Sequence, residues 1–129
     1  MASRPNFELG SGELDVVKVL WDRGPSTVRE VMNRLHERGR RVAYTTVLTF
    51  LARLEQKGLV TSNKRDLAYV YKAKVTREQV TMTRLRAMVR DLYDGAAASM
   101  ALQLMSTQKF TAEEIASLQK LIEELDSGR

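Results

Sequence analysis

The sequence predicts a mostly α chain with one small β-hairpin: three short helices, the hairpin, then three further helices. Three observations carry that prediction. Apolar residues recur at helical spacing through most of the chain, β-branched and aromatic residues concentrate in two short runs near its middle, and capping signals mark the boundaries. With 129 residues, 43% of them apolar, the chain can bury a core and still carry an association segment.

Residues 1–8 show no periodicity and are expected to form a flexible N-terminal tail. Ser11 and Gly12 then precede Leu14, Val17, Leu20 and Trp21 at helical spacing, and Gly24-Pro25 stops that first helix. Thr27-Val-Arg-Glu30 fits a capping box, in which the threonine hydroxyl and the glutamate carboxylate reciprocally satisfy free backbone donors. Val28, Val31, Met32 and Leu35 give the second helix its apolar stripe, which runs out near Gly39. The third helix begins near Val42 and is closed by Gly58, a residue suited to the left-handed conformation just past a helix end. Leu-Val-Thr-Ser (59–62) and Leu-Ala-Tyr-Val-Tyr-Lys (67–72) read as strands joined by the polar turn Asn63-Lys64-Arg65-Asp66. A second capping box, Thr76-Arg-Glu-Gln79, opens a helix to about Tyr93; Gly95 interrupts it; residues 96–105 resume it. A third box, Thr111-Ala-Glu-Glu114, starts a last helix to Leu125, with residues 126–129 fraying.

Composition excludes much. Zero cysteines remove disulfides, thiolate metal sites and thiol nucleophiles, and the single histidine, His36, sits at the polar end of the second helix without a companion ligand and reads as solvated. The acidic pairs Glu113-Glu114 and Glu123-Glu124 lie on a helix without a nucleophile or cleft signature, so an enzyme is not expected, nor a cofactor or metal. No apolar run reaches the roughly 18 residues of a membrane span and no secretory start is evident; a cytoplasmic protein without direct membrane binding is expected. Trp21 and the methionines Met82, Met88, Met100 and Met105 read as packing residues. Charge is unevenly placed: residues 1–75 hold 14 basic and 8 acidic side chains, whereas residues 76–129 hold 7 and 8. A basic first half points to nucleic acid.

Three helices followed by a hairpin is the order of a winged helix-turn-helix, whose third helix enters the DNA major groove. That helix contains Thr45, Thr46, Val47 and Thr49, β-branched residues that each cost up to about 0.7 kcal/mol against alanine in a helix. At 100° per residue Tyr44, Val47, Phe50, Leu51 and Leu54 cluster on one face. Thr45, Thr49, Ala52, Arg53 and Gln56 occupy the opposite one, flanked by Thr46 and Lys57. A threonine offers its methyl to thymine and its hydroxyl to base edges or phosphates, so the outward face suits DNA. The second half argues for self-association: Val89, Leu92, Tyr93, Met100, Leu104, Ile115, Leu118, Leu121, Ile122 and Leu125 are too many apolar residues for three thin helices to hide. The expected division is residues 9–75 as the DNA-binding domain and 76–129 as a helical dimerisation domain. A sequence-indifferent architectural DNA binder and a winged-helix protein-interaction adaptor are the alternatives.

Leu-Asp-Val-Val-Lys-Val-Leu-Trp-Asp-Arg-Gly-Pro (14–25), Ala-Tyr-Thr-Thr-Val (43–47) and Ala-Tyr-Val-Tyr (68–71) together resemble the BlaI/MecI family of penicillinase and methicillin-resistance repressors and its copper-responsive CopY relatives. The resemblance runs from about Leu9 to Leu125. It implies a homodimeric repressor of β-lactam-resistance or related stress genes, binding a double-stranded dyad operator. By carry-over Thr45, Thr46 and Thr49 lie at the bases, flanked by Arg53 and Lys57. Lys64 and Arg65 reach phosphates or the minor groove, and Thr27 and Arg29 meet the backbone at a helix N-terminus. The family also implies a transmembrane sensor metalloprotease as inducer partner, cutting an Asn-Phe bond in the dimerisation helices. The matching stretch here is Ser99-Met-Ala-Leu-Gln-Leu104, which makes Gln103-Leu104 the equivalent bond and argues for a different protease or signal. Two further departures matter. The absence of cysteine excludes copper sensing of the CopY type, and the wing turn lacks the glycine that relatives often carry.

Overall fold

A computed structural model of the chain describes residues 5–65 and 67–128. The six expected helices are α1 (Ser11–Arg23), α2 (Val28–Glu37), α3 (Tyr44–Gln56), α4 (Arg77–Tyr93), α5 (Ala97–Thr107) and α6 (Ala112–Ser127). All three capping boxes close. The Thr27 hydroxyl accepts the Glu30 N–H at 3.2 Å while the Glu30 carboxylate accepts the Thr27 N–H at 2.8 Å, and Thr76 with Gln79 and Thr111 with Glu114 repeat the exchange.

The hairpin strands are β2 (Val60–Asn63) and β3 (Val70–Ala73), and a strand that the sequence reading lacks, β1 (Ser26–Thr27), completes an antiparallel sheet of order β1-β3-β2. Ser26 pairs with Tyr71 and Thr27 with Val70, so the residue that caps α2 also closes the sheet. Two residues are too few to show a strand period. Central β3 buries Tyr71, whose hydroxyl pKa is raised by desolvation and by the nearby acidic and phenolic groups of Glu55, Tyr69 and Tyr44.

The core of the first unit is aliphatic. Val16 and Val17 of α1, Val31 and Leu35 of α2, and Val47, Leu51 and Leu54 of α3 are buried, with Leu59 and Val60 closing the base of the wing. Trp21 packs against this cluster as expected, and its indole N–H donates to the Val75 carbonyl at 2.8 Å. That bond carries the core into α4, where Val80 is buried with the rest. Consequently the chain divides into two compact units between Arg86 and Ala87, inside α4, rather than at residues 75 and 76.

Two other expectations need correction. The described part of the tail is tethered: the Asn6 N–H donates to the Lys57 carbonyl at 2.9 Å, Lys57 Nζ donates to the Glu8 carbonyl at 2.6 Å, and Phe7 packs on the core. Residues 1–4 lie outside the described residues. His36 is half-buried, not solvated; its ring Nε2–H donates to the Val42 carbonyl at 2.8 Å and so pins the turn into α3.

The ring of Phe50 on α3 lies directly against Gly12 at the start of α1. A Cβ built on Gly12 would overlap that ring. Gly12→Ala should therefore lower stability by about 1–3 kcal/mol through overpacking, read as a shift of the urea midpoint with unchanged slope. An unshifted midpoint would show that Phe50 yields freely.

Candidate nucleic-acid interface

Burial of Val47, Leu51 and Leu54 fixes which side of α3 faces outward. Thr45, Thr49, Ala52, Arg53 and Gln56 are exposed along that side and Thr46 is half-buried at its margin. The Thr49 hydroxyl donates to the Thr45 carbonyl at 3.0 Å, which satisfies its proton within the helix and leaves its methyl and an oxygen lone pair outward. Tyr44 departs from the expected apolar face: it is 44% exposed and lines an open cleft with Leu67 and Tyr69 of the wing.

Lys57 also departs from expectation. Its ammonium donates to the buried Glu13 carboxylate at 2.8 Å as well as to the Glu8 carbonyl, and only about a quarter of its side chain meets water at 24% exposure. An ammonium so engaged holds the N-terminal segment, α1 and the end of α3 together and is not free for phosphate. Burial by itself would raise the Glu13 pKa. Hydrogen bonds from Lys57 and the Gly10 N–H, with the charges of Lys57 and Arg53, outweigh it and hold the carboxyl below its ordinary value of 4.5.

Other cations are also engaged within the fold. Asp22 accepts from Arg38 and, at 2.8 Å, from Arg77, so one carboxylate joins α1, the end of α2 and the start of α4. Chiefly the Arg38 hydrogen bond, against partial desolvation, lowers the Asp22 pKa. Arg40 pairs with Asp15 at 2.5 Å. Arg53, Arg29, Lys64 and Arg65 are exposed. Arg29 stands at the start of α2 with its guanidinium 5.8 Å from the centroid of Tyr44, and Thr27 beside it is half-buried and holds the capping box. At the wing tip the Arg65 N–H donates to Asn63 Oδ1 at 3.0 Å, shaping the turn without glycine, and Lys64 lies 5.5 Å over the Tyr69 ring. Asp66, expected in the same turn, lies outside the described residues. Leu48, Leu67 and Tyr69 are exposed on this surface and were missed by sequence reasoning, which sorts leucines and tyrosines to the core.

The expected association residues lie in the second unit or at its edge. Leu92, Leu104, Ile115, Leu121, Ile122 and Leu125 are exposed, and Val89, Tyr93, Met100 and Leu118 are half-buried. Among the described residues α5 and α6 bury no side chain at all. Gln103 accepts the Tyr93 hydroxyl at 2.7 Å, and the Gln103-Leu104 bond lies within α5. Among the described residues no helix is long and apolar enough to cross a membrane.

A third helix seated by its apolar stripe, presenting small polar residues beside a basic wing, makes this a winged-helix DNA-binding protein. Comparison with known proteins is specific. The penicillinase repressor family model matches residues 9–124. The transcriptional regulator BlaI of Mycobacterium tuberculosis is 33% identical over 121 residues, covering 93% of this chain and 86% of the relative. The penicillinase repressor of Bacillus licheniformis is 26% identical over 117 residues, 91% of each chain. The solution structure of the DNA binding domain of the repressor BlaI matches with a TM-score of 0.51 and 25% identity, covering 58% of this chain and 90% of that one. A mutant MarR from E. coli complexed with operator DNA shares the fold, with a TM-score of 0.50 and 18% identity over 92% of this chain and 76% of that one. The chain belongs to the penicillinase repressor family, and it is a transcriptional repressor with a winged-helix DNA-binding domain, not an enzyme.

The Glu13–Lys57 pair has a pH signature. Because the folded Glu13 pKa is lowered, its contribution is fully present above the ordinary value of 4.5 and is lost as pH falls through the folded value. Lys57→Met, which strands a nearly buried carboxylate, should cost on the order of 2 kcal/mol at pH 7, reduced from a fully buried case by the water that still reaches the lysine. The variant should lose less stability than the wild type on acidification below 4.5. Parallel stability curves for the two proteins in that range would refute the linkage.

Proposed function

We propose that two copies of this chain associate through α4, α5 and α6 and that the resulting two-fold dimer grips a dyad operator with its two α3 helices. The observation that carries this reading is the second unit's exposed apolar surface. Leu92 is 72% exposed, Leu125 68% and Leu104 54%, in a unit whose last two helices bury nothing of their own. Helices in that condition require a partner to be stable in water. A second copy supplies the same patch, and two-fold symmetry then sets the recognition helices about one DNA turn, roughly 34 Å, or a multiple of it apart.

In this reading Thr45, Thr46, Thr49 and Arg53 face the base edges. Arg29, Lys64 and Arg65 neutralise phosphates, with Thr27 near the backbone at the start of α2. Lys57 is left out, since its ammonium is committed to Glu13. The targets are resistance or related stress genes, in line with the names of the relatives, and the protein acts in the cytoplasm. Where release is proteolytic, the cut falls in α5 between Ser99 and Met105, with Gln103-Leu104 as the equivalent bond; the mismatch to Asn-Phe at that bond favours a protease or signal other than the transmembrane sensor metalloprotease that the family resemblance implies. Helical substrate must unwind to enter a protease, and α5, which buries no side chain within its own chain, opens locally at low cost once the second copy that covers Leu104 lets go.

A fragment ending at Arg86 retains the whole core of the first unit, including Val75 and Val80. It should fold as a monomer and bind operator roughly 10²–10⁴-fold more weakly than the full chain, the avidity lost when two half-sites are uncoupled. Ultracentrifugation with operator titration checks both parts; a dimeric fragment of full affinity would refute the division of labour. For the switch, mass spectrometry of repressor recovered from induced cells should show a terminus between Ser99 and Met105. Derepression with the chain intact would exclude proteolysis.

A further inference from the structure

Leu67 stands at the tip of the wing with its side chain wholly in water, at 107% relative exposure. It contributes nothing to the core, yet it follows the Lys64-Arg65 turn and faces an open cleft of about 520 Å³. The start of α3 forms one wall of that cleft through Tyr44 and Leu48, the wing forms another through Leu67 and Tyr69, and Arg29 stands at its edge. Tyr44, Leu48 and Tyr69 are themselves 40% or more exposed, so this is a contiguous apolar surface and not one stray side chain.

Charge selects the occupant. Arg29 lies 5.8 Å over Tyr44 and Lys64 lies 5.5 Å over Tyr69, so each rim of the cleft pairs a cation with an aromatic face. Leu48 on the cleft wall lies one helical turn from Ala52 on the outward face of α3. With α3 in the major groove, the strand separating that groove from the next minor groove must pass between α3 and the wing tip. Its phosphates would meet the cations and its sugars the apolar walls.

We propose that Leu67 is an apolar wedge, entering the minor groove of operator DNA beside the major groove read by α3, while one sugar-phosphate strand crosses the cleft between Tyr44 and Tyr69. This rests on the reading of α3 as the recognition helix. A leucine inserted at a base step partly unstacks it and bends the duplex toward the major groove, bringing the phosphates closer to Arg29 and Lys64. The wedge reads deformability: flexible pyrimidine–purine steps accept it at the lowest cost, so Leu67 adds sequence preference at positions that α3 does not touch.

The test uses the full-length chain and a duplex from the DNA upstream of its own gene, with 2-aminopurine placed in turn at the steps beneath the wing. Wild-type protein should raise the fluorescence at one step per half-site. Leu67→Ala should abolish that rise and weaken binding roughly 50-fold, the effect of removing three side-chain carbons buried in the groove, with the salt dependence unchanged because no charge is lost. Leu67→Met should keep both the rise and the affinity. Arg65→Ala should weaken binding and flatten the salt dependence. Wild-type fluorescence that stays flat at every step, or a Leu67→Ala variant that matches wild type, would overturn the wedge while leaving α3 as the recognition helix. Equal wild-type affinity for this duplex and a scrambled one would instead overturn the reading of α3 itself. Leu67 lies off the core, and circular dichroism of each variant verifies that the fold is unchanged.

Discussion

The seating of α3 on α1 and α2 governs what this molecule can present to DNA. Val47, Leu51 and Leu54 show no exposed surface, and a helix of 13 residues anchored along one stripe has its opposite face committed to solvent. Two contacts tighten that seat from the side. Gly12 lets α1 approach the ring of Phe50, and Lys57 reaches back from the end of α3 to the Glu13 carboxylate. Burial of three aliphatic side chains at about 1.5–3 kcal/mol each outweighs the few tenths that each threonine costs in a helix. The core therefore tolerates a helix whose outer face carries residues of poor helix propensity.

The same partition applies to charge. The first half of the sequence carries the basic excess, but Arg38, Arg40, Arg77 and Lys57 hold the fold together through Asp22, Asp15 and Glu13. Arg29, Arg53, Lys64 and Arg65 are exposed, and two of these four, Arg29 at the start of α2 and Lys64 at the wing tip, stand over a tyrosine ring. In the proposed reading, net charge marks the half that meets nucleic acid and the ion pairs set which cations are left to do so. In the second unit the apolar residues are arranged the other way, with Leu92, Leu104 and Leu125 turned to water in a single chain.

Long periodic elements and local capping chemistry were legible in the sequence. Each Thr-x-x-Glu or Thr-x-x-Gln box forms between residues three apart, so nothing distant can alter it. Gly58 closes α3 with φ of +79°, as its position just past the last periodic residue implied. What was not legible depends on distant partners. The strand β1 exists only because β3 lies beside it, and the reach of the first core into α4 depends on Trp21 finding the Val75 carbonyl 54 residues away. Lys57 lies on the expected flank of α3, but its partner Glu13 is one acidic residue among several in α1 until the fold pairs them. Tyr44 fitted the apolar arc of a helical wheel, which cannot show that its neighbours are an open cleft and Arg29 and not the core.

Sequence-specific DNA binding by the paired recognition helices is the central claim, and equilibrium titration of the full-length chain tests it most directly. Duplex from upstream of its own gene and a scrambled duplex of equal length would each be titrated at two salt concentrations. The account predicts at least about 10³-fold preference for the upstream duplex, and affinity for both that falls steeply with salt as counterions released by Arg and Lys contacts are counted in the slope. Equal affinity for the two duplexes would contradict it in favour of an architectural binder, and salt-insensitive or absent binding would contradict it in favour of a protein adaptor.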